Sequence, residues 1–456
     1  MQNIIESGHH FIAIFGGAVA GSEAAYQLAS RGFRVVVFDQ NILPYGKIED
    51  GLPKWHVKLR DKEERLIDEK LSHENILFVP GIKLGETVEF KDVVQNWGFS
   101  AVLLATGAWK DRPLPIEGID AYINKGFVYQ NPLMYWFNHY HEPDYQGTQY
   151  DIVDDAVIIG GGLASLDVAK LVMIETVQKA LAEQKNIHLD MFSLEHSIAK
   201  VLEKLELNLD DLGLKGCTLY YRRRDEDMPL SSMPAITDEQ KLKVKMVARK
   251  ILENFKNKYL FRFEPCCVPI DKIVENGHLK GIKFQKVQIE DDKIVYLENQ
   301  TIERHSHLVI SSIGSIPEKI EGIPNKASGF LFKSPDSCQL ADFESVFALG
   351  NAVTGRGNII ESQHHSRDIS VDIMENYLKW TEEDYERWMR STESGIQGQI
   401  SEIAQHIGKQ KYMTKAQIEH IISKVTSLWK KVGYNENYQA WADKNRPVRL
   451  ENLLTK

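Results

Sequence analysis

The chain has 456 residues, a formal charge of −9 at pH 7 and 43% hydrophobic residues, enough for two or three domains with cores of their own. The acidic balance argues against general nucleic-acid or membrane-surface binding, so a basic cluster in it reads as a local site. A mean hydropathy of −0.32, with no apolar run near the roughly 18 residues of a spanning helix, points to a soluble protein.

The apolar run Phe11–Ala20 is not read as a signal peptide, because no Lys or Arg precedes it and Glu6 does. It opens instead a strand–turn–helix–strand unit: FIAIF (11–15), the glycine turn GGAVAG (16–21), an Ala-rich helix to about Ser30, and RVVVF (34–38) closing on Asp39. The turn matches G-x-G-x-x-G with Gly16 and Gly21 in place and Ala18 at the second glycine position. Such a turn aims helix N-terminal amides at a pyrophosphate, and an acid about 20 residues on, here Asp39, is placed for a ribose hydroxyl.

About 145 residues later the same logic recurs in AVIIGGGLASLDVAKLV (156–172), with Gly160, Gly162 and Ser165 in the three key positions and a helix from Leu163. Two such units suggest two nucleotides, a combination typical of flavin enzymes supplied by a nicotinamide. The second strand of this unit, CTLYY (217–221), ends in Arg222, Arg223 and Arg224. Guanidiniums match a 2′-phosphate where an NAD-selecting acid would repel it, so NADPH is favoured over NADH. The alternative is a surface cluster neutralised by Asp225, Glu226 and Asp227.

Four cysteines (217, 266, 267, 338) include no C-x-x-C and no metal-ligand spacing, so no metal is expected and reduced thiols in a cytoplasmic setting fit best. No C-x-x-x-x-C lies near the first unit, which counts against a dithiol relay, and no cysteine precedes residue 217 to hold an N-terminal iron–sulfur module. Beyond about residue 385 the sequence reads as amphipathic helices that pack on the first unit, mediate dimerisation or meet a partner.

Taken together, the two glycine units, the helical stretch between Leu171 and Leu214 and the arginines after it resemble the adrenodoxin reductase and bacterial ferredoxin–NADP reductase family. PYGKIEDGLPKWHVK (44–58) is similar to its flavin-side loop, while YRRRDEDMP (221–229) is closer to the related glutamate synthase small subunit. LLATGAWKDRPLPIEGI (103–119) and VISSIGSIPEKIEGIP (309–324) resemble the paired crossovers of such flavoproteins, and VFALGNAVTGRGNIIES (346–362) the closing flavin segment.

The resemblance implies an α/β fold of two Rossmann-like, doubly wound domains. The NADPH domain (111–317) would be inserted into an FAD domain (1–110 and 318–456) that also carries the C-terminal helices. It implies FAD held by Gly16, Ala18, Gly21, Asp39, Gly46, Gly107, Gly350, Asn351, Gly357 and Ile359, and NADP(H) by Gly160, Gly162, Leu163, Ser165, Arg222 and Arg223. His56, and more loosely Glu239, take the places of family residues near the nicotinamide. The implied activity is hydride transfer from NADPH to FAD, then single electrons to a ferredoxin-like iron–sulfur protein docked on a basic face such as 241–262. Asn351 and the shortened Arg356–Ile360 stretch depart from the family pattern. They leave open a flavoenzyme acting on a quinone or biosynthetic intermediate, or a nucleotide-binding protein without turnover.

Overall fold

A computed structural model describes residues 10–230, 237–326, 329–334, 337–353 and 382–454. Its first unit runs β1 Phe11–Phe15, α1 Val19–Ala29, β2 Arg34–Phe38, α2 Val57–Leu71, β3 Ile76–Val79 and β4 Ala101–Leu104. β1 is buried at every residue and β2 at all but Arg34, as a parallel sheet covered on both faces requires; both read as continuous apolar runs without alternation. Phe15 and Phe38 stack across them with centroids 4.8 Å apart.

After the short strand β5 (Lys110–Asp111), the second unit follows: β6 Phe127–Tyr129, α3 Gln130–His139, β7 Val157–Gly160, α4 Leu163–Lys185, β8 Thr218–Tyr220, α5 Asp238–Tyr259 and β9 Arg262–Glu264. An antiparallel sheet of β10 (Cys267–Glu275), β11 (His278–Glu290) and β12 (Lys293–His305) then leads to β13 (Val309–Ser312). The stretch between the second glycine turn and β8 is helical as expected, comprising α4 and the short helices Met191–Glu195 and Ile198–Lys204.

β14 (Ser315–Ile316) pairs antiparallel with β5, so the two similar crossovers meet each other. The chain continues through β15 (Asn325–Lys326), β16 (Gly329–Phe330) and β17 (Val346–Ala348), then α6 Glu382–Gly408, α7 Lys415–Val432 and α8 Tyr438–Asn445. Two five-stranded sheets result, ordered β17-β4-β1-β2-β3 and β6-β13-β7-β8-β9. Every pairing in both is parallel. In each, the glycine turn follows the central strand, at the carboxyl ends where such sheets bind ligands.

The C-terminal helices belong to the first unit's core. Ile396, Ile400, Ile403 and Ile407 of α6 and Ile418, Ile421, Val425 and Trp429 of α7 are buried in one cluster with β1 to β4. Indole N–H groups tie them down: Trp429 donates to the Phe78 carbonyl at 2.7 Å and Trp441 of α8 to that of Ile42 at 2.8 Å. Of the three roles left open for these helices, packing on the first sheet is the one observed. All four cysteines are free, and burial pushes each thiol above its ordinary range, which suits inert structural residues.

Candidate functional site

At the first turn the backbone is packed too closely for side chains. A Cβ on Gly16 would lie 2.3 Å from the Ala105 carbonyl oxygen, and Gly16 has φ +100°. Ala18 is the N-cap of α1 and supplies no side-chain cap, so the first-turn amides are left for another acceptor. Gly46 and Gly350 approach this turn: a Cβ on either would come within 2.9 and 2.6 Å of the Ala18 and Ala20 methyls respectively. Uncapped amides enclosed by three glycine backbones fit a pyrophosphate, because only backbone and two alanine methyls border the approach. Gly107, with φ +69°, lies at the end of β4 beside Trp109.

Asp39 is 4% exposed. Its Oδ2 accepts the Gly17 N–H at 2.7 Å and its Oδ1 the Asn41 N–H at 2.8 Å, and burial raises its pKa to about 6. Its observed role is to hold the glycine turn to the end of β2, so a ribose contact would have to share a carboxylate already committed to two amides.

The loop after Gly46 forms a helical turn, Lys47–Asp50, and then carries Lys54, Trp55 and His56 against the second unit. Lys54 is 1% exposed, with its ammonium 3.9 Å above the Tyr140 ring and 4.4 Å above Phe137. Burial pulls its pKa down to about 7, opposed by the Glu175 carboxylate, which accepts from Tyr140 Oη at 3.2 Å. Lys170 of α4, ion-paired with Glu195 at 2.9 Å, stands 4.2 Å over Trp55. His56 lies beside this cage, at the N-terminus of α2, and burial plus the nearby Lys170 and Arg60 charges lower its pKa to about 3. Its imidazole is therefore neutral across the working pH range.

The second turn repeats the first with one addition. A Cβ on Gly160 would meet the Ser312 carbonyl oxygen at 2.4 Å, and one on Gly161 the Tyr221 ring at 2.1 Å. Nothing lies within 4 Å of a Cβ on Gly162, the uncapped N-cap of α4. Buried Ser165 donates to the Gly162 carbonyl at 2.6 Å, and Leu163 opens the helix.

Tyr221 thus carries the arginine run from β8 past the turn. The three guanidiniums differ. Arg224 is bound by Asp227 at 2.8 and 3.0 Å. Arg223 donates to Asp292 on the β11–β12 hairpin at 3.0 and 3.3 Å. Arg222 is exposed and makes no ion pair among the described residues. Of the acids expected as neutralising partners, Asp227 also lies 3.7 Å from Arg223 and Glu226 lies 3.6 Å from Arg224 while being engaged by Lys245 and Arg249 of α5, and Asp225 is engaged by Arg249.

The two catalytic candidates are not brought together. Glu239 is exposed in the first turn of α5 and makes no hydrogen bond or ion pair among the described residues, whereas His56 is set between the two units. The backbone of Asn351 falls in the 3₁₀ turn Gly350–Val353, and Gly357 and Ile359 lie outside the described residues. Lys54, Lys170, Lys47 and Asp111 were not singled out from the sequence; the signal available was a lysine inside an otherwise apolar stretch, as in LASLDVAKLV. The nearest thing to a metal site among the described residues is Glu49, His139 and Glu142, but Glu49 is already held by Arg60 at 2.6 Å and Arg449 at 2.9 Å, and Glu142 by His139 at 2.6 Å.

The family profile described as Pyridine nucleotide-disulphide oxidoreductase matches residues 10–209, a segment that contains no cysteine. The chain is 24% identical over 354 residues to the mitochondrial NADPH:adrenodoxin oxidoreductase of Arabidopsis thaliana, covering 69% of each protein. It is 31% identical over 161 residues to the Glutamate synthase [NADPH] small chain of Bacillus subtilis, covering 34% of this chain and 31% of that one. Mycobacterium tuberculosis FprA, solved in complex with NADPH, superposes with a TM-score of 0.65 over 93% of this chain and 91% of its own at 16% identity, a likeness of fold. No helix among the described residues is long and apolar enough to cross a membrane.

Proposed function

We propose that this chain, an NADPH-dependent FAD oxidoreductase related to the adrenodoxin reductases, passes the electrons it takes from NADPH one at a time to a ferredoxin-like iron–sulfur protein. The observation that carries the reading is the pair of uncapped, glycine-walled helix N-termini, one per parallel sheet, with Arg222, which makes no ion pair among the described residues, beside the second. FAD would lie on the first, against Gly16, Ala18, Gly21, Gly46, Gly107, Gly350, Asn351, Gly357 and Ile359, with Asp39 near its ribose. NADPH would lie on the second, against Gly160, Gly162, Leu163 and Ser165, with Arg222 and Arg223 on its 2′-phosphate.

The flavin, when bound, supplies the conversion of a two-electron donor to one-electron steps. What the chain contributes is positioning: the Lys54–Trp55–His56 cage fixes the flavin-side loop to α3 and α4, so that the nucleotides on the two units are held in one register. His56 serves as a neutral hydrogen-bonding group and not as an acid. His56→Gln is accordingly expected to leave the pH dependence of NADPH-driven flavin reduction unchanged between pH 5 and 8; stopped-flow absorbance across that range checks it, and loss of an inflection in the variant would show that His56 titrates there.

The four inert thiols suit a reducing compartment such as the cytoplasm. The partner would meet the basic surface of α5, although Lys245 and Arg249 are already paired there. The experiment that tests the assignment is anaerobic absorbance of the purified protein with NADPH, then NADH. The flavin band should bleach with NADPH at far lower concentration than with NADH, and the bleached protein should reduce a ferredoxin. A colourless protein that remains unreactive after added FAD would overturn the reading.

A further inference from the structure

Next to Gly46 lies a pocket of about 370 Å³ that is lined by neither glycine turn, nor by Gly46, Gly107 or Gly350 themselves. Its walls come from both units: Trp109, Tyr135, Tyr145 and Tyr150 supply four aromatic rings, and Lys47, Asp50 and Asp111 the charged groups. The Lys47 ammonium donates to Asn131 Oδ1 at 3.0 Å and Ser315 Oγ at 3.3 Å, and Asp111 Oδ1 accepts the Asn131 N–H at 3.2 Å. An ammonium has three hydrogens, so one stays available.

The charges decide what kind of ligand fits. Burial pulls Lys47 down to about 8 and pushes Asp111 up to about 6, so each is costly to ionise and the pair leaves no spare positive charge. Asp50, also in the lining, is committed to His139 at 3.1 Å. An anionic ligand would bring a charge that the balanced Lys47–Asp111 pair cannot neutralise, whereas a carbonyl oxygen could accept from Lys47 without disturbing the balance. Four rings around a space of this size favour a flat partner. Trp109 also borders Gly46, whose Cβ would stand 3.9 Å from its ring, so the pocket lies one residue from the cradle of the first glycine turn.

We propose that this pocket binds a neutral, planar, carbonyl-bearing ring compound of quinone type and one- or two-ring size, stacked on Trp109 and the tyrosines with its carbonyl accepting from Lys47. The site is separate from both nucleotide turns, and its occupancy can be read without turnover, so it stands or falls independently of the reductase assignment.

The test titrates the purified protein, with the flavin it retains and no NADPH, with 2,3-dimethyl-1,4-naphthoquinone and, in parallel, with 2-naphthoate, a charged ring of the same size. Tryptophan fluorescence and calorimetry report binding. The quinone should bind saturably and about tenfold or more tighter than naphthoate. Lys47→Met should weaken the quinone by about tenfold, the effect of one hydrogen bond. Asp111→Asn should bring naphthoate to within a few-fold of the quinone, because the ammonium is then unbalanced. Equal binding of both compounds by the unaltered protein, no saturable binding, or displacement of the quinone by NADP⁺ or FAD would each overturn the proposal; the comparison on the unaltered protein does not depend on any variant folding.

Discussion

Arg222→Ala is expected to raise the KM for NADPH by about ten- to a hundredfold while leaving that for NADH nearly unchanged, since each decade corresponds to about 1.4 kcal/mol of lost binding. The expectation rests on geometry: Arg222 is the one arginine of the run that is exposed without an ion pair among the described residues. A guanidinium already bound to a carboxylate must give up that partner before it can hold a phosphate. Arg223→Ala should cost less, since its guanidinium is shared with Asp292 and, at 3.7 Å, with Asp227. That loss should still be measurable, because the Asp292 side chain is 85% exposed and a pair in such contact with water is weak. The double variant is expected to reach one to three decades. Steady-state kinetics with both nucleotides decides: equal losses for NADPH and NADH would remove the 2′-phosphate from this run and leave the arginines as a structural cluster.

That ranking of the three arginines was not legible in the sequence, although the run itself was. Asp225, Glu226 and Asp227 look equally placed to neutralise it, yet Asp225 turns to α5, Glu226 is shared between Arg224 and α5, and Arg223 takes a further partner from a hairpin about 70 residues later. Local elements were legible because their signals are local. FIAIF and RVVVF become β1 and β2 residue for residue, and Leu163 opens α4, because apolar runs and glycine turns fix themselves. The isoleucines at 396, 400, 403 and 407 announced an amphipathic helix, but which surface would cover them depended on the first sheet's outer face. Asp39 shows the limit from the other side: its position at the end of β2 was read correctly, but its two amide bonds come from how Gly17 and Asn41 turn toward it.

Arg449→Ala is the second change expected to act strongly, and its size should depend on pH. Arg449 comes from the last segment of the chain and reaches back to Glu49 at 2.9 Å and to Glu64 on α2, all three side chains being nearly buried. Arg60 also holds Glu49, at 2.6 Å, so two carboxyls share two guanidiniums. Although burial disfavours its charge, Glu49 is held below its ordinary value by Arg60 and Arg449, whereas Glu64 is pushed up by burial to about 7. A carboxyl whose folded pKa lies above the unfolded 4.5 contributes fully below 4.5, and that contribution is lost as pH rises through about 7. Thermal stability of Glu64→Gln relative to the unaltered protein should therefore improve steadily between pH 5 and 8.

Taking away Arg449 leaves two carboxyls on one guanidinium, a broken buried network of the kind that costs about 3 kcal/mol or more. At pH 6 Glu64 carries its proton and Arg60 suffices for Glu49; at pH 8 folding must keep a proton on Glu64 that the unfolded chain has released, so the loss should deepen. Because Glu49 sits in the turn directly after Gly46, flavin retention should fall together with stability, and the Arg449→Ala, Glu64→Gln double variant should recover most of both. A loss that is the same at pH 6 and pH 8, and is not recovered in the double variant, would mean that Arg449 acts through packing alone and that the C-terminal segment secures the flavin-side loop by contact, not charge.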